Sequence, residues 1–318
     1  MVLMDKFNRK ITYLRISVTD RCNLNCFYCK PRREVSLFPK EEILSYEEII
    51  KIVKIARQLG IIHFRITGGE PLLRRDIVYF LKEISKLKID FSLTTNGIYL
   101  LEYAEKLKSI GLKRINVSLD TLDVKKYELV TGYPYLHKVL EGIKLARELG
   151  FSPIKINTVI MKGVNNNEID NFIIWAKENS LNIRFIEFMP FTRKDYFFPL
   201  LPILKELLNK KAIFPINLPG AGPAYNFGFK DSTGDISFIL PMSLPFCRFC
   251  NRIRLSADGF LYNCLFSKEG INIKKSIENQ KELKHLFKES VRLKPFSYIS
   301  KFLKSKTSSC AGLYKIGG

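Results

Sequence analysis

Between residues 13 and 189, six short apolar runs alternate with longer segments of helical period, and this alternation constrains the fold more than any other feature of the sequence. The runs are rich in β-branched and aromatic residues, which predicts strands over residues 13–18, 61–67, 91–95, 114–119, 155–160 and 184–189. Strands that alternate with helices form a parallel sheet with right-handed crossovers. Because six units are fewer than the eight of a closed barrel, we expect the α/β class and an open, partial (βα)6 TIM-like barrel.

The segments between the strands carry the start and stop signals of helices. Ser45 and Glu48 form a capping box, and the apolar helix face that follows them ends at Gly60. The same three-and-four spacing predicts further helices over residues 76–87, 101–110, 136–149 and 167–179.

Beyond Met189 the pattern changes, because eight prolines interrupt residues 190–245 and the spacing of apolar residues becomes less regular. Proline punctuates helices and strands, so this stretch reads as a different structural unit. We expect a barrel domain over residues 1–195 and a smaller C-terminal domain over residues 196–318.

Three cysteines, Cys22, Cys26 and Cys29, follow the first predicted strand. Barrel folds place their sites on loops at the carboxyl ends of strands, and three close thiolates suit a four-iron cluster that keeps one iron open. The alternative is a zinc knuckle, which needs a fourth Cys or His nearby. Neither residue type occurs between Lys30 and Ile62, so the spacing favours the cluster.

A second triplet lies in the C-terminal third of the chain and consists of Cys247, Cys250 and Cys264. Taken alone, it fits a structural zinc site with Cys310 or His285 as the distant fourth ligand. Arginines at positions 248, 252 and 254 lie beside and between these cysteines. They favour a site where an anion binds next to a metal.

The chain is strongly basic, with 52 Lys and Arg against 31 Asp and Glu and a formal net charge of +21. This charge suits nucleic acid, an acidic membrane surface or a phosphorylated small molecule. We expect a cytoplasmic protein without a membrane span, because the N-terminus has no apolar run and no uncharged apolar stretch approaches about 18 residues. Seven cysteines then indicate metal or redox chemistry before disulfides.

The first triplet, followed by Gly68-Gly69-Glu70-Pro71 at the end of the second strand, resembles the radical S-adenosylmethionine enzymes. Further motifs narrow the resemblance to the GTP 3′,8-cyclases of molybdenum cofactor biosynthesis, and they lie at residues 14–23, 65–72, 94–97, 116–120 and 246–255. The closing Gly317-Gly318 is similar to the tail of that family, which reaches into its catalytic pocket.

The resemblance implies a radical lyase with two [4Fe-4S] clusters and S-adenosylmethionine as cofactors, and with GTP as substrate. It assigns the first cluster to Cys22, Cys26 and Cys29 and the second cluster to Cys247, Cys250 and Cys264. It assigns S-adenosylmethionine binding to Tyr28, Gly69, Ser118 and Met189. It assigns GTP binding to Arg15, Arg65, Thr94, Lys155, Arg252 and Arg254, with Arg15 also counted among the catalytic residues.

The resemblance also implies an electron donor and allows a homodimer. Two alternatives stay open: a radical S-adenosylmethionine enzyme that acts on tRNA or a peptide, and a basic zinc protein that binds nucleic acid. Nucleic acid is the less favoured partner, since the sequence has no recognisable RNA-binding module. The Lys-rich segment over residues 274–306 reads as solvated surface.

Overall fold

The structure is a computed structural model, and it describes residues 2–29, 37–189, 195–218, 222–297 and 313–317. The strands of this part of the chain are β1 (Tyr13–Ser17), β2 (His63–Thr67), β3 (Asp90–Thr95), β4 (Ile115–Ser118), β5 (Ile154–Ile160), β6 (Asn182–Glu187), β7 (Ile213–Pro215), β8 (Tyr225–Phe229), β9 (Asp235–Ile239), β10 (Arg252–Leu255), β11 (Phe260–Tyr262) and β12 (Ile271–Asn272). The helices are α1 (Tyr46–Gln58), α2 (Ile77–Lys86), α3 (Leu100–Ser109), α4 (Val124–Thr131), α5 (Leu136–Glu148), α6 (Ile169–Asn179), α7 (Leu201–Asn209), α8 (Gln280–Arg292) and α9 (Leu313–Ile316).

The strand–helix alternation is confirmed, because β1–β6 overlap the six predicted strands. The capping box of α1 is also confirmed: the Ser45 side chain accepts from the Glu48 amide, and the Glu48 carboxylate accepts from the Ser45 amide at 2.6 Å. The sequence analysis missed α4, which begins after Asp123, whose side chain accepts from the Lys126 amide. Its short, weakly patterned sequence VKKYELVT explains the omission.

The chain divides into two compact units. The first unit comprises residues 1–94, 106–112 and 247–318, and its sheet has the order β12-β11-β10-β1-β2-β3. In this sheet β10, β1, β2 and β3 are parallel, whereas β11 and β12 add antiparallel edges. The division of the chain into domains near residue 195 stays a prediction.

The second unit comprises residues 95–105 and 113–246, and its strands have the order β4-β5-β6-β9-β8-β7. The strands from β4 to β9 in this order are parallel, and β8 and β7 follow as antiparallel neighbours. Buried Glu187 at the end of β6 accepts from the amides of Leu200 and Met242 at 3.1 and 3.0 Å. These bonds hold the chain that follows β6 against the end of that strand.

In the first unit, the two faces of the central strands have different compositions. Leu14 on β1 is in register with Phe64 on β2 and Ile253 on β10, and all three are buried. Because successive strand residues point to opposite faces, the residues on either side of this apolar layer project from the other face. That second face carries the side chains of the candidate site.

Candidate active site in the first unit

A polar layer occupies one face of three adjacent parallel strands. We call it the arginine face, and its members are Tyr13, Arg15, His63, Arg65, Arg252 and Arg254. Tyr13 lies between His63 and Arg252 in register, and two residues later Arg15 lies between Arg65 and Arg254. Neighbouring strands are about 4.8 Å apart, so four guanidinium groups converge on a small area.

Hydrogen bonds order this layer. The Arg65 Nε donates to the Tyr13 hydroxyl, and the Arg65 Nη1 donates to the Thr94 hydroxyl at 3.3 Å. The guanidinium groups of Arg65 and Arg252 each lie 5.8 Å from the centre of the Tyr13 ring. Tyr13 therefore acts as the neutral packing partner between two cations of the layer.

Like charges and burial make the arginine face electrostatically unfavourable when it is empty. Burial, together with the charges of Arg254 and Arg65, holds the pKa of Arg15 well below its usual range. Burial, and then the charge of Arg252, lowers the pKa of Arg254 to about 10. Guanidinium groups stay protonated at neutral pH even so, which leaves a positive layer that an anion would stabilise.

Tyr13 responds to the same charges. Burial alone raises the pKa of its phenol, but the surrounding guanidinium groups, above all that of Arg65, outweigh burial and lower the pKa below its ordinary value. Arg15, Arg65 and Arg252 each keep part of their surface accessible. The layer can therefore receive an anionic ligand.

The C-terminal segment contacts one corner of the arginine face. Arg254, which is 8% exposed, donates through Nη1 to the carbonyl of Ile316 at 3.3 Å and to that of Gly317. Gly317 has φ +67°, and a Cβ there would lie 2.3 Å from Cγ2 of Thr67. Only glycine fits at this position. Gly318, the other half of the predicted tail, and Cys310 lie outside the described residues.

The first cysteine triplet lies on the loop that follows β1. The Leu24 amide donates to the Cys22 sulfur at 3.4 Å, and the Cys29 amide donates to the Cys26 carbonyl at 3.0 Å. All three cysteines are partly exposed. Tyr28, predicted at the cofactor, lies between the last two of them, with its ring edge-on to Phe27 at 5.8 Å.

The Gly68-Gly69 turn braces this loop. The Gly69 amide donates to the Thr19 carbonyl at 2.6 Å, and the Glu70 amide donates to the Arg21 carbonyl at 2.8 Å. A Cβ on Gly69 would lie 2.2 Å from the Arg21 carbonyl oxygen. Close packing against the backbone just before Cys22 is thus a second reason for glycine here, beside the approach of a ligand.

The second triplet has its own supports. The Cys250 amide donates to the Cys247 carbonyl at 3.2 Å, and the Ser297 hydroxyl donates to the Cys247 sulfur at 3.4 Å. Arg9 pairs with Asp5 at 2.6 Å and donates to the Cys247 carbonyl, also at 2.6 Å.

The charges around this triplet differ from one thiol to the next. Burial raises the pKa of Cys250, but the charges of Lys294 and Arg252 outweigh it and lower the pKa below its ordinary value. For Cys264, burial is the larger effect and raises the pKa. The second triplet therefore lies in a partly buried pocket next to cationic groups.

The donor chemistry of both triplets suits a soft metal centre such as an iron–sulfur cluster. Within the described ranges, no group of three Cys, His, Asp or Glu side chains has the arrangement to hold one metal ion. A four-iron cube takes one thiolate at each iron, so three soft sulfur ligands hold it and leave one iron open. Each triplet is such a set of three thiols.

The remaining predicted residues lie in the second unit. Ser118 is exposed at the carboxyl end of β4, and Met189 is partly exposed just after β6. Lys155 is 7% exposed on β5, in register with Asn116 and Asn182. The first unit thus contains thirteen of the sixteen predicted residues, namely the six cysteines, Tyr28, Gly69, Arg15, Arg65, Thr94, Arg252 and Arg254.

Among the residues of the first unit that sequence reasoning missed are Tyr13 and Lys294. Tyr13 could have been found, because it precedes Arg15 by two positions and a strand returns to the same face every second residue. Lys294 could not have been found, since it belongs to the Lys-rich segment that the sequence analysis interpreted as solvated surface. In the structure it is only 2% exposed. For this residue the surface interpretation is wrong.

The fold resembles that of a solved structure. A Streptococcus suis protein, SuiB bound to S-adenosylmethionine, superposes with a TM-score of 0.67 at 20% identity, covering 98% of this chain and 73% of that one. Residues 16–176 match the Radical SAM superfamily. This match confirms the enzyme class that the first triplet predicted, and together with the similar solved structure it confirms the predicted α/β partial barrel. Residues 181–299 match Molybdenum Cofactor Synthesis C, the C-terminal domain.

Relatives define the family within that class. A GTP 3′,8-cyclase of Thermodesulfovibrio yellowstonii is 44% identical over 304 residues, which cover 92% of this chain and 94% of the relative. Another from Petrotoga mobilis is 40% identical over 325 residues, covering 99% of this chain and all of the relative. The chain belongs to the GTP 3′,8-cyclase family.

Proposed function

We propose that this protein is a radical S-adenosylmethionine lyase that cyclises GTP to (8S)-3′,8-cyclo-7,8-dihydroguanosine 5′-triphosphate, an early step of molybdenum cofactor biosynthesis. The observation that carries the proposal is the arginine face, which lies in the same compact unit as both cysteine triplets. A layer of converging guanidinium groups needs an anion of several charges, and a triphosphate supplies them.

Cys22, Cys26 and Cys29 would hold the first [4Fe-4S] cluster. When bound, this cluster supplies the electron that cleaves S-adenosylmethionine. The turn at Gly69 keeps the loop close to the end of β2, where a bulkier residue would push the backbone away. Tyr28, Gly69, Ser118 and Met189 are the residues we assign to S-adenosylmethionine.

The substrate residues bind and orient the triphosphate. We assign this role to Arg15, Arg65, Thr94, Lys155, Arg252 and Arg254. The Thr94 hydroxyl already accepts from Arg65, so it holds that guanidinium toward the face. Arg15 lies at the centre of the layer, between Arg65 and Arg254, where it can neutralise charge on a bound nucleotide.

Cys247, Cys250 and Cys264 would hold the second [4Fe-4S] cluster, which would supply a binding site for the guanine base. The proximity in sequence of Cys250 to Arg252 and Arg254 supports this role, because one short segment then carries both the metal ligands and the phosphate ligands. The C-terminal segment, held by Arg254, helps to exclude water from the layer.

The reaction needs an electron donor, and we propose a cytoplasmic enzyme that can act as a homodimer. Among the described residues, no helix is both long and apolar enough to cross a bilayer.

The proposal is tested by product analysis. Anaerobically purified, reduced protein is incubated with S-adenosylmethionine and GTP, and the products are separated by chromatography and weighed by mass spectrometry. We expect 5′-deoxyadenosine together with a nucleotide isomeric with GTP. The masses are equal because the hydrogen removed from the ribose is replaced by one electron and one proton at the base. Formation of 5′-deoxyadenosine without a new nucleotide contradicts GTP as the substrate.

Cysteine variants separate the two clusters. Cys22→Ala is expected to abolish cleavage of S-adenosylmethionine, whereas Cys264→Ala leaves cleavage measurable and stops GTP conversion. Iron analysis should find about eight irons per chain in the parent protein and about four in each variant lacking one cluster. Normal cyclisation by Cys264→Ala removes the second cluster from the reaction.

A further inference from the structure

Lys294 is an unusual lysine, because it is buried whereas the other basic residues of 274–297 keep at least part of their surface exposed. It follows α8 and is 2% exposed, whereas its neighbour Leu293 is 50% exposed. Lysine is rarely buried to this extent without a partner of opposite charge. No carboxylate of the described residues forms an ion pair with it.

The ammonium group joins two separate segments of the chain. Its Nζ donates to the carbonyl of Arg252 at 2.9 Å and to that of Asn263 at 2.5 Å. Arg252 follows Cys250 by two residues, and Asn263 directly precedes Cys264. One side chain therefore connects the two strands of chain on which the last two cysteines of the second triplet lie.

The two carbonyls are uncharged acceptors, so they do not compensate the charge of Lys294. An uncharged amide could donate to both carbonyls, and its burial would cost less than that of an ammonium group. Because the two carbonyls belong to Arg252, two residues after Cys250, and to Asn263, directly before Cys264, the thiols of these cysteines are the groups of potential negative charge on the segments that Lys294 joins. A positive group in this position complements the charge of metal-bound thiolates.

We infer that Lys294 is a positioning residue for the second cluster: it holds the segments of Cys250 and Cys264 at one spacing and compensates the negative charge of their thiolates. The inference rests on the proposed function, since it requires a cluster on this triplet. Outer hydrogen bonds and charges tune the affinity and the reduction potential of a metal site. A nearby cation favours the reduced, more negative form of the cluster, so its removal should lower the potential.

The test isolates the second cluster in the full-length chain. In a parent variant with Cys22, Cys26 and Cys29 changed to Ala, iron content and a potentiometric titration followed by electron paramagnetic resonance report on the second triplet alone. Lys294→Met removes the charge and both hydrogen bonds at similar length. Lys294→Arg keeps the charge, and Lys288→Met on the exposed side of α8 is the matched control.

We expect Lys294→Met to lose at least half of the iron or to lower the equilibrium constant for one-electron reduction about tenfold, which is about 59 mV. Lys294→Arg should recover most of the effect, and the control should match the parent. If Lys294→Met does not fold by circular dichroism, Lys294→Gln, which can still donate to the carbonyls, should keep the iron and lower the potential.

In the protein with all six ligands, Lys294→Met should still cleave S-adenosylmethionine, because the first triplet is untouched. Iron content and potential that are unchanged by Lys294→Met and Lys294→Gln overturn the inference alone. A parent variant that binds no iron overturns the second cluster of the proposed function, and this inference with it.

Discussion

The arginine face makes a quantitative prediction for Arg15→Met. In the nucleotide-free protein, this change removes two unfavourable effects: the cost of burying the charge of Arg15 and its repulsion by the neighbouring guanidinium groups. The free energy of unfolding should therefore not fall. In the presence of GTP, the same change removes a charge-assisted contact worth about 1.5–3 kcal/mol, which weakens binding about 10- to 150-fold.

These effects can be separated in one assay. GTP at 100 times its dissociation constant stabilises a protein by about 2.7 kcal/mol. By the same relation, binding weakened about 10- to 150-fold leaves only about 1.4 to 0.3 kcal/mol of that stabilisation in Arg15→Met. Denaturant unfolding of the cluster-loaded protein, under anaerobic conditions without S-adenosylmethionine, measures both quantities because no turnover takes place.

Arg292→Met is the control, since Arg292 is exposed at the end of α8. It should leave the GTP-induced stabilisation at its parental value. Inorganic triphosphate should stabilise the parent protein and have less effect on Arg15→Met, because the guanidinium groups recognise phosphate and not the base. A GTP-induced stabilisation that is the same in Arg15→Met and in the parent would refute the assignment of the triphosphate to this face.

Three further predictions concern the supports of the site. Gly69→Ala places a Cβ 2.2 Å from the Arg21 carbonyl oxygen, so the loop before Cys22 must shift, and iron analysis should find loss of the first cluster. In the control Gly222→Ala, the atom nearest to the new Cβ is 3.9 Å away, so this variant should keep its iron. Arg9→Met leaves the buried Asp5 carboxylate without its ion pair and should lower the free energy of unfolding by about 3–5 kcal/mol. In the control Arg75→Met, the ion pair that is lost, with Asp76, is exposed, so the free energy of unfolding should change by less than about 1 kcal/mol. Burial, and then the charge of Asp258, raises the pKa of Tyr262 to about 12, so the folded state retains a proton that the unfolded state loses above about pH 10. Stability should therefore fall between about pH 10 and 12, and Tyr262→Phe should reduce that fall; an identical pH profile for Tyr262→Phe contradicts the shift.

The strand–helix order could be predicted from the sequence because its signal is local. Apolar periodicity identified β1–β6, and the capping box located the start of α1. The helix α4 was missed, since eight residues with mixed propensity carry little periodic signal. Local sequence also could not predict that β10 pairs with β1, because the two strands are far apart along the chain.

Site residues that belong to a sequence motif could be predicted, whereas residues whose role depends on tertiary packing could not. The cysteine spacings and the family motifs gave the residues of the arginine face except Tyr13 and His63. The roles of Arg9 and Lys294 depend on carbonyl groups hundreds or tens of residues away, such as the Cys247 carbonyl for Arg9. Nothing in a run of basic residues distinguishes the one that is buried from those that are solvated.

The pairing of β10 with β1 also determines when the site can form during synthesis. Tyr13 can pair with Arg252 only after Arg252 has been synthesised. Arg254 can donate to the carbonyls of Ile316 and Gly317 only when synthesis has reached the last residues. A ribosome makes the chain from the N-terminus, and contacts of such long sequence separation form slowly. Until Arg252 and Arg254 have been added, the growing protein therefore lacks the complete set of guanidinium groups. The layer is therefore completed late in synthesis, after most of the chain has been made.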